Sequence, residues 1–255
     1  MTTDRCRDLY LDLLEQTLTG TLWHDIGFLP SPDMPHPTLA GAYDEERRFQ
    51  GLDWPQHACT MIGLGRLRHL RQSVERVIAD EIPGDFVETG VWRGGSCIYM
   101  RALLAAYGIT NRRVWVADSF AGLPPPNPEK FPEDAGSELH KIGVLAVPLD
   151  EVKNNFAKYG MLDEQVVFLK GWFKDTLPEA PIERLAILRL DGDLYESTIQ
   201  VLDVLYERVS PGGFVIIDDY MLPACRKAVE DFRTQKAVLQ PIGDIEGGAA
   251  FWRKE

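Results

Sequence analysis

The sequence has few of the features that mark membrane, zinc and nucleic-acid-binding proteins. Its 255 residues contain no run of about 18 apolar residues, so no segment is predicted to cross a membrane. The four cysteines form no CxxC pair and the five histidines show neither HxxxH nor HExxH spacing, which argues against zinc and dithiol sites. Lys and Arg total 27 against 39 Asp and Glu. The net charge of −12 therefore argues against nucleic acid or an anionic membrane surface as a partner.

The N-terminus also lacks the apolar stretch of a secretory signal. Together with the scattered cysteines, which are typical of reduced thiols, this predicts a cytoplasmic protein. An apolar content of 45% is enough for a sizeable core, and no linker separates the patterned segments. We therefore expect one structural domain, in which an N-terminal helical and lid segment over residues 1–82 packs on a core over residues 83–255.

Strand and helix patterns alternate through the core, which is typical of a mostly parallel α/β sheet with helices on both faces. Before the core, helical periods at residues 8–19 and 55–80 flank a stretch rich in proline, glycine and charge at residues 27–53. We interpret this stretch as a lid or binding loop. Two short strands, at 237–242 and 249–253, are expected to form an antiparallel edge of the sheet.

Acidic residues fall at the ends of four predicted strands. In an open parallel sheet, ligands bind beyond the carboxyl ends of the strands, so these carboxylates are directed at one shared crevice. Like charges in a crevice repel unless a cation or ligand hydroxyls absorb them. The pattern predicts a site for a divalent metal, a hydroxyl-rich ligand, or both. The four strands with their acidic residues span 85–88, 114–118, 185–191 and 214–219.

A glycine-containing loop, Glu88-Thr89-Gly90-Val91-Trp92-Arg93-Gly94-Gly95-Ser96, joins the first core strand to a helix. It is not GxGxxG, and its bulky residues argue against a closely packed pyrophosphate. S-adenosylmethionine, which approaches backbone without a phosphate, fits better. Glu88 then meets a cationic part of the cofactor or organises the loop, and Asp118 is placed to accept hydrogen bonds from a ribose diol. The alternative is that Gly94 and Gly95 only permit a tight turn.

Asp191, Asp193, Asp218 and Asp219 follow two strands that are expected to be neighbours or near neighbours. Three carboxylates at strand ends suit a hard divalent cation such as Mg²⁺, from which the sequence does not distinguish Mn²⁺. Such a metal chelates two vicinal hydroxyls and stabilises a developing alkoxide. We assign proton removal to Asp193, two residues beyond the expected ligand Asp191. For any one aspartate alone, a turn or helix cap explains the residue equally well, and Asp193 could cap the next helix.

The sequence resembles the macrocin O-methyltransferase family of sugar O-methyltransferases from antibiotic biosynthesis. The resemblance covers nearly the whole chain, and its Trp-Arg-Gly-Gly and Asp-Asp-Tyr elements are close to diagnostic. The segments that carry it are 8–14, 60–63, 88–95, 117–120, 171–176, 190–193, 210–213 and 218–220.

The resemblance implies a Rossmann-like class I methyltransferase fold with a mostly parallel seven-stranded sheet, using S-adenosylmethionine and Mg²⁺. It places the metal ligands on Asp191, Asp218 and Asp219 and the general base on Asp193. Members methylate a deoxysugar hydroxyl, on a glycosylated natural product or on a nucleotide-linked sugar such as TDP-rhamnose, and they assemble as dimers or larger oligomers. Cofactor contacts are implied for Met61, Glu88, Gly90, Asp118, Ser119 and Trp172.

Departures from the family pattern fall on surfaces expected to touch the acceptor. Cys59 stands where relatives have histidine, and the run 245–252 lacks their glutamine ahead of the aromatic strand. The sugar and its aglycone or nucleotide therefore stay open.

The sequence leaves three alternatives to a sugar methyltransferase. The first is a catechol-type O-methyltransferase acting on an aromatic diol, whose more acidic hydroxyl needs no dedicated base, so dependence on Asp193 discriminates the two. A nicotinamide-dependent oxidoreductase is disfavoured by the missing GxGxxG and by the aspartates. A non-catalytic cofactor-binding protein is disfavoured by the intact metal and base positions.

Overall fold

The computed structural model describes residues 3–30 and 37–255. The helices within these residues are α1 (Thr3–Thr19), α2 (Glu45–Gln50), α3 (Gly63–Ala79), α4 (Gly95–Ala106), α5 (Leu149–Lys158), α6 (Phe173–Thr176), α7 (Tyr195–Leu205) and α8 (Pro223–Gln235). The strands are β1 (Gly27–Leu29), β2 (Thr38–Leu39), β3 (Trp54–Pro55), β4 (Asp85–Thr89), β5 (Val114–Asp118), β6 (Val166–Lys170), β7 (Leu185–Leu190), β8 (Val209–Ile217), β9 (Gly243–Ile245) and β10 (Ala249–Arg253).

The core strands form a seven-stranded sheet in the order β6-β5-β4-β7-β8-β10-β9. The strands from β6 to β8 run parallel, whereas β10 pairs antiparallel with β8 and β9 antiparallel with β10. All residues of β7 are buried and, apart from Arg189, they are apolar, as expected for a strand covered on both faces. The predicted mostly parallel sheet with an antiparallel edge is confirmed.

Helices cover both faces of this sheet. On one face α3, α4 and α5 contribute Leu67, Ile98 and Phe156 to an apolar core that also includes residues of α1. On the other face α7 and α8 contribute Leu202 and Phe232 to a second core. Among the described residues, no helix is long and apolar enough to cross a membrane.

The segment before the core is more ordered than its composition predicts. β1 pairs with β2 and with β3 in a small antiparallel sheet. Along the chain, α2 lies between β2 and β3. Arg48 is fully buried and ties these parts together, because its guanidinium donates to Asp53 (2.7 Å) and to the carbonyl oxygens of Thr19 (2.6 Å) and Asp25 (2.7 Å). Residues 31–36 of the predicted lid lie outside the described part of the chain.

Several predicted boundaries were wrong. The first helix begins at Thr3 instead of residue 8, and β8 begins at Val209 instead of residue 214. The second predicted helix begins at Gly63, because residues 54–55 pair with β1 instead. The strand expected at 237–242 is replaced by β9, which follows it. The reason is that the Val238 N–H donates to the Arg233 carbonyl at 2.9 Å and closes α8 with a turn.

Candidate active site

The carboxyl ends of β7 and β8 bring three aspartates together. Leu190 and Ile217 are register partners in these neighbouring parallel strands, so the residues that follow them emerge side by side. Asp191, Asp193 and Asp219 each present a carboxylate oxygen, and these oxygens lie within 4.8 Å of one another. The expected meeting of the two strand ends is present, and we call these three residues the acidic cluster.

The backbone at Asp193 shapes the acidic cluster. Its φ of +58° lies in the left-handed region, where a non-glycine residue is uncommon. Its N–H donates to Oδ2 of Asp219 at 3.0 Å, and the Leu194 N–H donates to the Gly192 carbonyl at 2.6 Å. The backbone N–H of Asp193 in this turn therefore holds the carboxylate of Asp219 in position.

Asp193 is not the cap of the following helix. The first N–H groups of α7, from Tyr195 and Glu196, donate to Asp134 at 2.7 and 3.0 Å. Leu194 occupies the N-cap position and makes no side-chain bond there. Asp134, from the loop after β5, satisfies these N–H groups in its place. Sequence reasoning missed Asp134, which lies 61 residues before its partner Tyr195 and carries no local capping signal.

Crowding of the carboxylates changes their protonation. Burial, with repulsion from Asp218, raises the pKa of Asp193 to about 6. Burial and the neighbouring carboxylates raise the pKa values of Asp191 and Asp219 well above their usual range. Because closely spaced negative charges repel, a bound cation is what would let the cluster carry its full charge. Its oxygen donors are of the kind that Mg²⁺ prefers.

Asp218 is placed differently from the other three aspartates. Its buried carboxylate forms ion pairs with Arg66 and Arg189. Arg189 also pairs with Glu88 and, at 2.9 Å, with Asp191. A buried guanidinium favours the ionised form of nearby carboxylates, because opposite charge offsets their loss of hydration. The structure thus places Asp218 beside the acidic cluster, with its two oxygens turned to the two arginines.

Sequence reasoning missed both arginines. Arg189 is the one charged residue in the buried strand β7, and that was an available signal, because a buried charge requires partners. Arg66 gave no such signal, since it lies in the amphipathic helix α3, 152 residues before its partner Asp218.

Glu88 lies inside the protein at the start of the glycine-containing loop. It is 1% exposed and accepts hydrogen bonds from Ser96 Oγ (2.5 Å) and from Cys97 Sγ (2.8 Å), in addition to its pairing with Arg189. Of the two roles expected for this carboxylate, the contacts are those of a residue that organises the loop. It also links the loop, through Arg189, to the acidic cluster.

Gly90 is the residue at which the glycine-containing loop touches the acidic cluster. Its φ of +86° favours glycine, and a Cβ built there would overlap the carbonyl oxygen of Asp191. The Asp191 N–H donates to the Thr89 carbonyl at 2.9 Å, which holds the two segments in contact. No side chain fits between the loop and the strand end, so the predicted cofactor loop and the predicted metal site share one wall.

The remaining predicted cofactor residues lie around the same edge of the sheet. Asp118 accepts hydrogen bonds from the Val91 N–H (2.8 Å) and the Phe120 N–H (2.6 Å), and burial raises its pKa. Ser119 stands next to it, at the start of the loop after β5.

Trp172, 37% exposed, follows β6, and Met61 precedes α3. The carbonyl of Cys59, two residues before Met61, accepts a hydrogen bond from the Gly95 N–H at 3.0 Å. This contact joins the N-terminal segment to the start of α4.

A family model described as Macrocin-O-methyltransferase (TylF) matches residues 7–254 of the chain. A Streptomyces olivaceus protein named 8-demethyl-8-(2,3-dimethoxy-alpha-L-rhamnosyl)-tetracenomycin-C 4'-O-methyltransferase is 54% identical, over 98% of this chain and 94% of its own. Mycinamicin III 3''-O-methyltransferase of Micromonospora griseorubida is 46% identical, over 97% and 96%. Among solved structures, that of the O-methyltransferase NovP superposes with a TM-score of 0.91 at 48% identity, covering 97% of this chain and 99% of that one.

Proposed function

The chain belongs to the macrocin O-methyltransferase family and is an S-adenosylmethionine-dependent O-methyltransferase, and from that premise we propose that it methylates a deoxysugar hydroxyl in antibiotic biosynthesis with the help of Mg²⁺. The acceptor is a glycosylated product or a nucleotide-linked sugar. The observation that supports the metal-assisted reaction is the convergence of Asp191, Asp193 and Asp219 against the glycine-containing loop. Two relatives are named as enzymes that methylate a rhamnosyl-bearing tetracenomycin and mycinamicin III, which supports the substrate class.

Asp191, Asp218 and Asp219 would hold the metal. Asp191 and Asp219 already face each other in the acidic cluster. Asp218 is ion-paired with Arg66 and Arg189, and an ionised carboxylate has about four lone-pair sites, so each oxygen keeps an acceptor position for a cation. When bound, S-adenosylmethionine would supply the methyl group and Mg²⁺ would lower the pKa of a coordinated sugar hydroxyl.

Asp193 would accept the proton of that hydroxyl. A sugar hydroxyl is far less acidic than an ordinary carboxylic acid, so a raised carboxylate pKa reduces the mismatch between base and substrate. Burial and repulsion from Asp218 raise the pKa of Asp193, which makes it a stronger base than an exposed aspartate. The backbone turn that places Asp193 also holds Asp219, so base and metal ligand would move as one unit.

The cofactor would lie along the ends of β4, β5 and β6. Asp118 and Ser119 would face its ribose, and Gly90 would allow its approach to backbone. Met61 and Trp172 would contact the remainder. The N-terminal segment before the core, held by Arg48, would cover the site as a lid.

A methyl-transfer assay with mass-spectrometric detection tests this function. The enzyme is given S-adenosylmethionine with Mg²⁺ or with EDTA, and each reaction contains rhamnosides, TDP-rhamnose or a catechol. Methylated sugar formed in the presence of Mg²⁺ and lost in EDTA supports the proposal. Turnover on the catechol alone, retained in Asp193→Asn, would move the protein to the aromatic-diol class.

We further propose that the protein is a homo-oligomer. Leu9 and Leu13 lie one turn apart on α1 and are 51% and 50% exposed, with Tyr10 (36%) between them. An apolar stripe of this kind is typical of an interface. Light scattering of the purified protein tests this, and a monomer at 50 µM would contradict it.

A further inference from the structure

The helix that follows the acidic cluster begins without a cap from its own sequence. Leu194 occupies the N-cap position of α7 and makes no side-chain hydrogen bond there. The first N–H groups of a helix have no partners inside it and need acceptors from elsewhere. In α7 the N–H groups of Tyr195 and Glu196 donate to Oδ1 (2.7 Å) and Oδ2 (3.0 Å) of Asp134. One carboxylate from a distant loop therefore holds the start of the helix.

Asp134 is 1% exposed, so its position is fixed by the contacts it makes inside the protein. Burying a carboxylate is costly unless hydrogen bonds or opposite charge compensate for the lost hydration. Here the two N–H groups of α7 supply the hydrogen bonds, and the N-terminus of the helix supplies partial positive charge. The carboxylate and the start of α7 thus hold each other in place.

The loop that carries Asp134 is itself anchored. The Asp134 N–H donates to the Phe131 carbonyl at 3.1 Å, and the Phe131 ring lies 6.0 Å from the ring of Tyr195, centroid to centroid. Farther along the same loop, the Val144 carbonyl accepts a hydrogen bond from Nε1 of Trp92 at 2.9 Å. Trp92 belongs to the glycine-containing loop, so the segment that presents Asp134 is connected to both the cofactor loop and α7.

The first turn of α7 packs on the turn that carries Asp193. A Cβ at Gly192 would lie 3.0 Å from the Cβ of Ser197, so the two turns are in close contact. Leu194, 3% exposed, donates its N–H to the Gly192 carbonyl (2.6 Å) and accepts at its own carbonyl from the Thr198 N–H (3.0 Å). A displacement of the helix start would therefore be transmitted to residues 192–194.

The backbone of Asp193 needs support from both sides. Its φ of +58° is unfavourable for a residue with a side chain, and such a conformation persists only where the surroundings hold it. One support is the hydrogen bond from its N–H to Oδ2 of Asp219 at 3.0 Å. The other is the chain that leads through Leu194 into α7, whose start Asp134 fixes. Without this second support the backbone would relax and redirect the Asp193 carboxylate.

Resting on the proposed function, in which Asp193 is the base, we propose that Asp134 is a positioning residue for that base. Its carboxylate fixes the first N–H groups of α7, and the fixed helix start keeps the Asp193 carboxylate directed at the acidic cluster. Misplacement of a reacting group by about 1 Å can lower a rate about 10²-fold. Loss of Asp134 is therefore expected to lower kcat and to leave substrate binding nearly unchanged.

Steady-state kinetics of two variants test the role. The acceptor is whichever of the rhamnosides and TDP-rhamnose the native enzyme methylates fastest, at saturating Mg²⁺. In Asp134→Ala we expect kcat to fall about 10–100-fold, with the KM for S-adenosylmethionine and for the sugar within about threefold of native. In Asp134→Asn, which keeps an acceptor oxygen for the helix start, kcat should return to within about fivefold of native.

Asp85→Ala is the matched control. Asp85 lies at the opposite edge of the sheet and also accepts two N–H hydrogen bonds, from the Arg113 backbone (2.9 Å) and from Trp115 Nε1 (2.8 Å). Its loss removes the same number of bonds far from the base, so kcat should stay within about twofold of native. Circular dichroism and urea unfolding of each variant confirm that it is folded under the assay conditions.

The same change in an Asp193→Asn background separates positioning from a general structural effect. With the base absent, Asp134→Ala should lower the residual kcat by less than about twofold, because the residue through which it acts is gone. An equal fold-loss in the two backgrounds would show that Asp134 acts on another part of the site, and would overturn the proposal.

Amide hydrogen exchange followed by NMR gives a readout that needs no turnover. In Asp134→Ala we expect the N–H groups of Asp193, Tyr195 and Glu196 to exchange at least about tenfold faster than in the native chain, whereas Asp85→Ala leaves them nearly unchanged. Native exchange at Asp193 in Asp134→Ala would show that the turn does not depend on Asp134, and the proposal would be wrong.

Failure of the proposed function gives a different result. If no sugar is methylated, or if Asp193→Asn keeps native turnover, Asp193 is not the base of a sugar methyltransferase and the positioning role falls with that assignment. If Asp193→Asn is impaired while folded Asp134→Ala keeps native kcat, the base assignment stands and only the positioning role is overturned.

Discussion

Both the amino and the carboxyl edge of the large sheet carry charged residues, but their contacts differ. At the amino edge, Asp85 accepts hydrogen bonds from the Arg113 N–H (2.9 Å) and from Trp115 Nε1 (2.8 Å), while Arg112 donates to the carbonyls of Ile82 (2.6 Å) and Gly84 (3.0 Å). A groove of about 730 Å³ runs along this edge and is lined by charges of both signs. These contacts satisfy backbone and side-chain groups locally.

At the carboxyl edge the carboxylates outnumber their partners. The buried guanidinium of Arg189 and the partly buried one of Arg66 pair with Glu88, Asp191 and Asp218, while the side chains of Asp193 and Asp219 have no cationic partner among the described residues. At the amino edge, the side chains of Asp85 and Arg112 are hydrogen-bonded to neighbouring groups and serve as structural contacts. At the carboxyl edge the fold leaves negative charge uncompensated, which is typical of a reactive site. The volume of a cavity does not show which edge carries the reactive site, since the larger groove lies at the amino edge.

The largest expected difference between the two edges is in the effect of replacing an aspartate by asparagine. Asp193→Asn removes the proposed base, and we expect kcat to fall by about 10²–10⁴-fold with S-adenosylmethionine affinity retained. Asp85→Asn, the matched change at the amino edge, should lower the unfolding free energy by about 1 kcal/mol and leave kcat within twofold. Steady-state kinetics, cofactor titration and urea unfolding of both variants check this. Normal turnover in Asp193→Asn would contradict the assignment of the base and with it the difference between the two edges.

Buried and exposed arginines provide the next test. Arg189→Met leaves Glu88 and Asp218 buried without one of their cations, which we expect to lower the unfolding free energy by about 3–5 kcal/mol. Arg113→Met, on the amino edge with an exposed side chain, should change it by less than about 0.5 kcal/mol. Urea denaturation followed by circular dichroism measures both values. A loss below 1 kcal/mol in Arg189→Met would show that the carboxylates need no counter-charge.

Two glycines with positive φ, one in contact with the acidic cluster and one in open space, provide a third test. Gly90→Ala combines a positive φ with overlap on Asp191, so we expect a loss above about 2 kcal/mol and failure to bind S-adenosylmethionine. Gly108→Ala also has a positive φ, of +66°, but no atom lies within 4 Å of the new Cβ. It should cost only about 1–2 kcal/mol and keep cofactor affinity, as measured by calorimetric titration. Equal effects would remove the special role of the Gly90 contact.

The smallest predicted effect is a pH dependence at the carboxyl edge. Burial, with repulsion from Arg189, lowers the pKa of His69 to about 4 from about 6.5. The unfolded chain takes up this proton first, so the contribution of His69 to stability is full above pH 6.5 and is lost as pH falls toward 4. We expect a loss of about 2 kcal/mol across that window, and less in His69→Gln. Parallel slopes of unfolding free energy against pH for the two proteins would contradict it.

The sequence revealed the fold because the evidence for it is local. Four apolar runs, each ending in an acid, and a strand-loop-helix with Gly90 are visible without tertiary information. The meeting of the two strand ends that carry Asp191, Asp193, Asp218 and Asp219 was predicted from the expected proximity of the strands, whereas the pairing of Asp218 with two arginines was not. Asp134 and Arg66 were missed because their partners are distant in the chain.

The N-terminal sheet was also missed. β1, β2 and β3 are two or three residues long, and Arg48 holds that region through the carbonyls of residues 19 and 25. Short strands stabilised by such contacts leave no periodic pattern.

The central claim is that uncompensated negative charge at the carboxyl edge is completed by a divalent cation during sugar methylation. Metal-free protein is titrated with Mg²⁺ while methyl transfer from S-adenosylmethionine to 2-naphthyl α-L-rhamnoside is followed, in the native chain and in Asp191→Asn. The account predicts background rate in EDTA, a saturable rise with Mg²⁺, and a rise displaced to at least tenfold higher Mg²⁺ in the variant. Full activity in EDTA, unchanged by added Mg²⁺, would contradict it.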